Sequence, residues 1–165
     1  VVTAIRDDWE KMAQTHATNN IGLAAPFHPF IDGMLARKSG KLVGIGSVAG
    51  IRGMPGHGAY CGSKAAVINY CESLRGELRN TGVHVVTICP GYIKTPMTEK
   101  NRYPMPFLMN ANDFANKSFI TIEKGTSYSV IPWQMGVVAK LLRLMPNVLF
   151  DKALAGRGRK ARATS

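Results

Sequence analysis

Val83-His-Val-Val-Thr-Ile-Cys89 is a near-continuous apolar run bounded by Gly82 on one side and Pro90-Gly91 on the other. A strand that is apolar at successive positions, rather than at alternate ones, has both faces covered, as happens in a parallel sheet with helices on either side. Two further segments read as strands. Lys41-Leu-Val-Gly-Ile-Gly46 follows the turn Ser39-Gly40, and Ser127-Tyr-Ser-Val-Ile-Pro132 is ended by its proline. Helical patterns lie between them. The first starts at Asp7 or Asp8 as an N-cap and runs through Trp9, Met12 and Ala13 towards Leu35, with Pro26 and Pro29 kinking or interrupting it. A second begins near Gly58, buries Val67, Cys71, Leu74 and Leu78 at helical spacing, and ends on Gly82 as a left-handed cap. A third, capped by Asp113, puts Phe114, Ala115, Phe119 and Ile122 on one face and stops at Gly125. Alternation of this kind predicts an α/β fold with a three-stranded parallel sheet and flanking helices.

The chemistry-bearing residues cluster around the second helix. In Gly58-Ala-Tyr-Cys-Gly-Ser-Lys64, Tyr60 and Lys64 stand four apart and share a helix face, and Ser47 ends the first strand 13 residues before Tyr60. A phenol has a reference pKa of about 10, and a nearby cation that favours its anion by about 1.4 kcal/mol makes it a roughly tenfold stronger acid. Such a tyrosine can exchange a proton near neutral pH, while a serine hydroxyl can bond a substrate oxygen on which charge develops.

Taken together, Ser47, Tyr60-x-x-x-Lys64 and Pro90-Gly91-Tyr-Ile-Lys-Thr95 resemble the short-chain dehydrogenase/reductase family. A Tyr-x-x-x-Lys alone is weak; the order and spacing of all three blocks are specific, and the resemblance covers most of residues 5 to 132. It implies a Rossmann-type doubly wound fold and hydride transfer between NAD or NADP, with a slight lean to NADP, and a small alcohol or carbonyl substrate. Tyr60 would be the general acid/base, Lys64 its partner and a ribose contact, and Ser47 the group polarising the substrate oxygen. Asn19, in Asn19-Asn-Ile-Gly22, resembles the helix asparagine that holds a relay water. The turn from Pro90 and Gly91 to Thr95 would hold the nicotinamide, with the Ile93 backbone on its carboxamide and the Thr95 hydroxyl nearby. A homo-oligomer in the cytoplasm is expected for the full-length form.

The chain departs from that family at its start. The Gly-rich turn that opens such enzymes, and sets the cofactor pyrophosphate on a helix N-terminus, has no counterpart here. Val1-Val-Thr-Ala-Ile resembles the approach to the helix after the fourth strand, so residues 1–150 are expected to be the C-terminal part of the nucleotide-binding domain, with a basic tail over 151–165. Gly44-Ile-Gly-Ser-Val-Ala-Gly50 imitates a dinucleotide fingerprint, yet it runs into Ile51-Arg-Gly-Met-Pro-Gly-His-Gly58 rather than into a helix. The simpler reading is a strand packed closely against neighbouring backbone at Gly44 and Gly46, then a loop bordering the substrate. A catalytically silent fragment or scaffold, unable to grip the pyrophosphate, is the rival from another class. A serine hydrolase is disfavoured, because Ile45 stands where a nucleophile elbow needs glycine.

With 45% hydrophobic and 19% charged residues, the chain suits a globular domain, and no run of it reaches membrane-spanning length. Cys61, Cys71 and Cys89 show neither a disulfide framework nor metal-ligand spacing and read as buried, reduced thiols; no metal site is expected. Of the formal net charge of +11, the last fifteen residues carry +4, and no zinc spacing, stacking pattern or recognition helix accompanies it, so nucleic acid is not expected as a partner. After the Thr95 turn, Met97, Tyr103, Met105, Phe107, Leu108 and Met109 could form an apolar lid or anchor an ordinary loop. Trp133 to Met145 describes an amphipathic helix with three open readings: a body or subunit contact, a pocket wall, or a weak membrane-surface anchor assisted by the basic tail.

Overall fold

The computed structural model describes residues 8–99, 101 and 103–155, with Met97 through its backbone alone. Three parallel strands form its centre: β1 (Gly40–Ile45), β2 (Val83–Pro90) and β5 (Tyr128–Ile131), in the spatial order β1-β2-β5. The register sets Leu42 beside Val85 and Ile45 beside Ile88, while Pro90 lies beside Ile131. Side chains of β2 alternate between two cores, which is why its sequence is apolar at successive positions. Val83 and Val85 join Leu42 and the Val67, Cys71, Leu74 and Leu78 side chains of α4 (Gly58–Glu77) on one face. Val86 and Ile88 join Ile131 on the other, covered by Phe114 and Ile122 of α6 (Ala111–Glu123). Val86 and Ile88 are fully buried, each stabilising the fold by roughly 1.5–3 kcal/mol relative to an exposed side chain.

The N-terminal helical stretch is more broken than its periodicity suggests. Helix α1 (Trp9–His16) passes into a π-helical turn, Ala17–Ile21, and then into the short α2 (Gly22–Ala24). Asp8 precedes α1 but makes no side-chain cap to it; the alternative cap, Asp7, lies outside the described residues. Pro29 does not interrupt a helix but stands in the first turn of a new one, α3 (His28–Ala36), where a missing N–H costs nothing. From this region Leu23, Phe27, Ile31, Met34 and Leu35 pack onto the first core.

Three boundaries differ from expectation. Helix α4 ends at Glu77, so Gly82 does not cap it; at φ +85° Gly82 turns the chain into β2, and a Cβ there would overlap the Lys38 carbonyl. Helix α6 begins two residues before Asp113, which therefore sits in the first turn, where its charge still favours a helix N-terminus. The segment after the Thr95 turn contains α5 (Pro96–Glu99) and a two-stranded parallel ribbon of β3 (Ile93–Lys94) and β4 (Met109–Asn110). Met109 packs against the second core rather than in a lid, whereas Tyr103, Phe107 and Leu108 are exposed.

Beyond β5 come α7 (Trp133–Leu144) and α8 (Asn147–Leu154), the latter running past residue 151, where a tail was expected. Residues 156–165 of that tail lie outside the described residues. No described helix is long and apolar enough to cross a membrane.

Candidate active site

Ser47 leaves the carboxyl end of β1 in extended backbone, 7% exposed, and its Oγ accepts the Ala49 N–H at 3.2 Å, capping the 3-10 turn Val48–Gly50. That turn lies directly on α4: a Cβ on Gly50 would come within 2.7 Å of the Lys64 carbonyl carbon. Lys64 reaches back over it, its Nζ donating to the Ile45 carbonyl at 2.9 Å, two residues before Ser47. Ser47 and Lys64 are thus tied to one strand end. Burial lowers the Lys64 pKa from the ordinary lysine value, against an opposing contribution from Cys89. Tyr60, one turn earlier on the same helix, is 41% exposed.

Asn19 belongs to the same cluster through its side chain. Its Nδ2 donates to Ser63 Oγ at 2.8 Å, and Ser63 Oγ in turn donates to the Tyr60 carbonyl at 2.9 Å. The π-helical turn that carries Asn19 packs against the helix that carries Tyr60, in keeping with the frequency of π-bulges at functional sites.

Close approach explains the glycines of the false fingerprint. A Cβ on Gly44 would overlap Cys71 Sγ, and one on Gly46 would lie 2.9 Å from Cys89 Sγ. Their neighbours are thus thiol side chains rather than the backbone expected; backbone is met at Gly50. All three cysteines are buried and free, and no group of three or more potential metal ligands occurs among the described residues.

The third motif block borders the end of β2. Gly91 N–H donates to the Ile131 carbonyl at 2.9 Å, with Met135 so near that a Cβ would be 2.7 Å from its Cγ. Thr95 N–H donates to Thr98 Oγ1 at 2.9 Å, and Thr98 Oγ1 donates to the Ile93 carbonyl at 2.7 Å. Thr98 therefore organises the turn carrying Ile93 and Thr95.

Residues 3–105 match the family described as short chain dehydrogenase. The chain belongs to the short-chain dehydrogenase family. An oxidoreductase of Myxococcus xanthus described as uncharacterized is 42% identical over 150 residues, which make up 91% of this chain and 59% of that protein. An acetoacetyl-CoA reductase of Synechocystis is 40% identical over 91 residues, 55% of this chain and 37% of its own length. Among solved structures, a short chain dehydrogenase from Burkholderia cenocepacia in complex with NADP superposes with a TM-score of 0.76 at 20% identity, covering 90% of this chain and 61% of the other. The chain spans less than two thirds of the length of each of these proteins.

Two residues bonded to the motif segments were missed in the sequence. Ser63 lies within the Tyr60-to-Lys64 interval, and a serine placed to bond the carbonyl three residues back was its signal. Thr98 had only the Thr95-Pro turn as a cue.

Proposed function

We propose that the whole protein is an oxidoreductase interconverting an alcohol and a carbonyl with NAD or NADP. The observation that carries this reading is the Lys64 Nζ bond to the Ile45 carbonyl, which holds the helix of Tyr60 against the strand end of Ser47. Ligands of open α/β sheets bind outside the carboxyl ends of the strands, where these residues stand.

The residues present fit the nicotinamide and ribose part of such a cofactor. An ammonium has three donors, so Lys64 retains two for ribose hydroxyls after bonding Ile45. Pro90, Gly91, Ile93 and Thr95 form the turn that would hold the carboxamide, stiffened by Thr98. When bound, the nicotinamide supplies or accepts the hydride. Tyr60 gives a proton to the substrate oxygen or removes it, and Lys64 stabilises the negative charge left on the Tyr60 oxygen when the proton has gone. Ser47, whose oxygen already accepts the Ala49 N–H, has its own proton to donate to the substrate oxygen. With Nδ2 on Ser63, Asn19 would offer its oxygens to a relay water. Tyr103, Met105, Phe107 and Leu108 would close over the substrate.

The same proposal includes residues 1–150 as part of the nucleotide-binding domain, a cytoplasmic setting in keeping with three free thiols, and a homo-oligomer using the exposed Trp133, Val137, Leu141 and Leu144 of α7. Titrating the whole protein with NADH and NADPH by nicotinamide fluorescence, then assaying a panel of ketones and alcohols, tests it. Saturable binding with turnover is expected. Failure to bind either nucleotide would leave the silent-scaffold reading in its place.

A further inference from the structure

Five residues after Ser47, one side chain grips a distant corner of the fold. Arg52 Nη1 donates to the carbonyl oxygens of Leu142 at 2.7 Å, Arg143 at 2.9 Å and Met145 at 2.7 Å, and Nη2 donates to Asn147 Oδ1 at 3.0 Å. Its guanidinium carbon lies 3.9 Å from the centroid of the Phe150 ring, which is buried. The carbonyls belong to the last turn of α7 and the residue after it, where a helix has no intrahelical donors left and where its dipole favours a cation. Arg52 therefore closes α7, bridges to α8 through Asn147 and stacks on the α8 aromatic in a single placement.

The loop it anchors joins Ser47 to Tyr60. Apart from Arg52, the side-chain hydrogen bonds of residues 51–57 among the described residues are local: His57 Nδ1 lies 3.2 Å from the Pro55 carbonyl oxygen, and the Cys61 thiol bonds the Met54 backbone. Gly53 and Gly56 have no atoms within 4 Å of where a Cβ would sit, so packing does not hold the loop at those points. Upstream, the turn Val48–Gly50 is lodged between α4 and α7.

We infer that Arg52 is a positioning residue: by clamping the α7–α8 corner it fixes the Ser47-to-Tyr60 loop and so the mouth of the site. This rests on the proposed dehydrogenase reading. The guanidinium is suited to the task because its flat fork spans several acceptors and stacks on a ring, whereas an ammonium is a point donor.

The test uses Arg52→Lys and Arg52→Ala in the whole protein. Each is expected to lose ~10-fold to ~10²-fold in turnover, the scale of a small misplacement at a reacting centre, with nicotinamide affinity within about twofold of the parent. Guanidinium chloride below denaturing concentration should restore part of the Arg52→Ala turnover, and methylammonium chloride should not. Should Arg52→Ala fail to fold, Arg52→Lys and Phe150→Leu carry the same kcat-against-affinity comparison. Parental turnover in Arg52→Lys, or a lowered melting temperature with no rescue by guanidinium, would overturn the inference. The parent, assayed in parallel, separates the two failures: if it binds nicotinamide and turns over while Arg52→Lys is fully active, only the positioning role falls, and if the parent neither binds nicotinamide nor turns over, the dehydrogenase reading falls.

Discussion

Lys64 Nζ and the Ile45 carbonyl oxygen meet at 2.9 Å, so the lysine paired with Tyr60 by the family motif also fastens α4 to the strand that ends in Ser47. On the proposed mechanism, removing it should loosen the scaffold and the chemistry together. Lys64→Ala is expected to lower turnover by ~10²-fold or more, the range for losing an acid/base partner, and to weaken nicotinamide binding in the same variant. Steady-state kinetics with a fluorescence titration check both; parental affinity would contradict the ribose role.

Ser47→Ala separates two roles of one hydroxyl. Loss of a donor to the developing oxyanion predicts a fall in kcat of ~10²-fold to ~10³-fold. Loss of the Ala49 cap predicts a further effect on stability of about 1 kcal/mol, read by chemical denaturation. A stability change without the kinetic one would mean that Ser47 only caps its turn.

Gly50 has no room for a methyl group, because a Cβ would meet the Lys64 carbonyl carbon at 2.7 Å and its oxygen at 2.8 Å, both backbone atoms. Gly50→Ala should therefore cost about 1–3 kcal/mol, lowering Tm by several degrees, and should reduce turnover by moving the Ser47 turn off α4. An unchanged Tm and rate would show that the turn and helix are not in firm contact.

Burial pushes the thiols of Cys61, Cys71 and Cys89 up from the ordinary cysteine value. Because the folded state prefers each thiol protonated, their contribution to stability is fully present below the unfolded thiol pKa of about 8.5 and is lost as pH rises above it. Denaturation midpoints should fall on going from neutral to alkaline buffer. Iodoacetamide at neutral pH should label these thiols far more slowly in the folded protein than in denaturant, and equal rates would contradict the burial.

Local pattern made some of this legible and left the rest hidden. The β2 run was apolar on both faces because Val85 and Val86 enter different cores, and α4 was readable because Val67, Cys71 and Leu74 recur at helical spacing on one of them. Asn19 and Ser63 are 44 positions apart, and Arg52 reaches carbonyls 90 to 93 positions away; such pairs leave no trace in a window of sequence. Strands β3 and β4 have two residues each, too few to show a period. The π-helical turn at Asn19 carries the same residues as an ordinary helix, so its backbone shift was invisible. In α8, the apolar Val148, Leu149 and Phe150 precede a basic stretch whose charge dominated the reading.

On the proposed mechanism, Tyr60 carries the transferable proton. Tyr60→Phe in the whole protein, assayed for turnover of a carbonyl the parent reduces and for nicotinamide affinity by fluorescence, addresses it most directly. The side chain keeps its ring and loses one oxygen, so affinity should stay near the parental value while turnover disappears. Parental turnover by Tyr60→Phe would show that another group moves the proton.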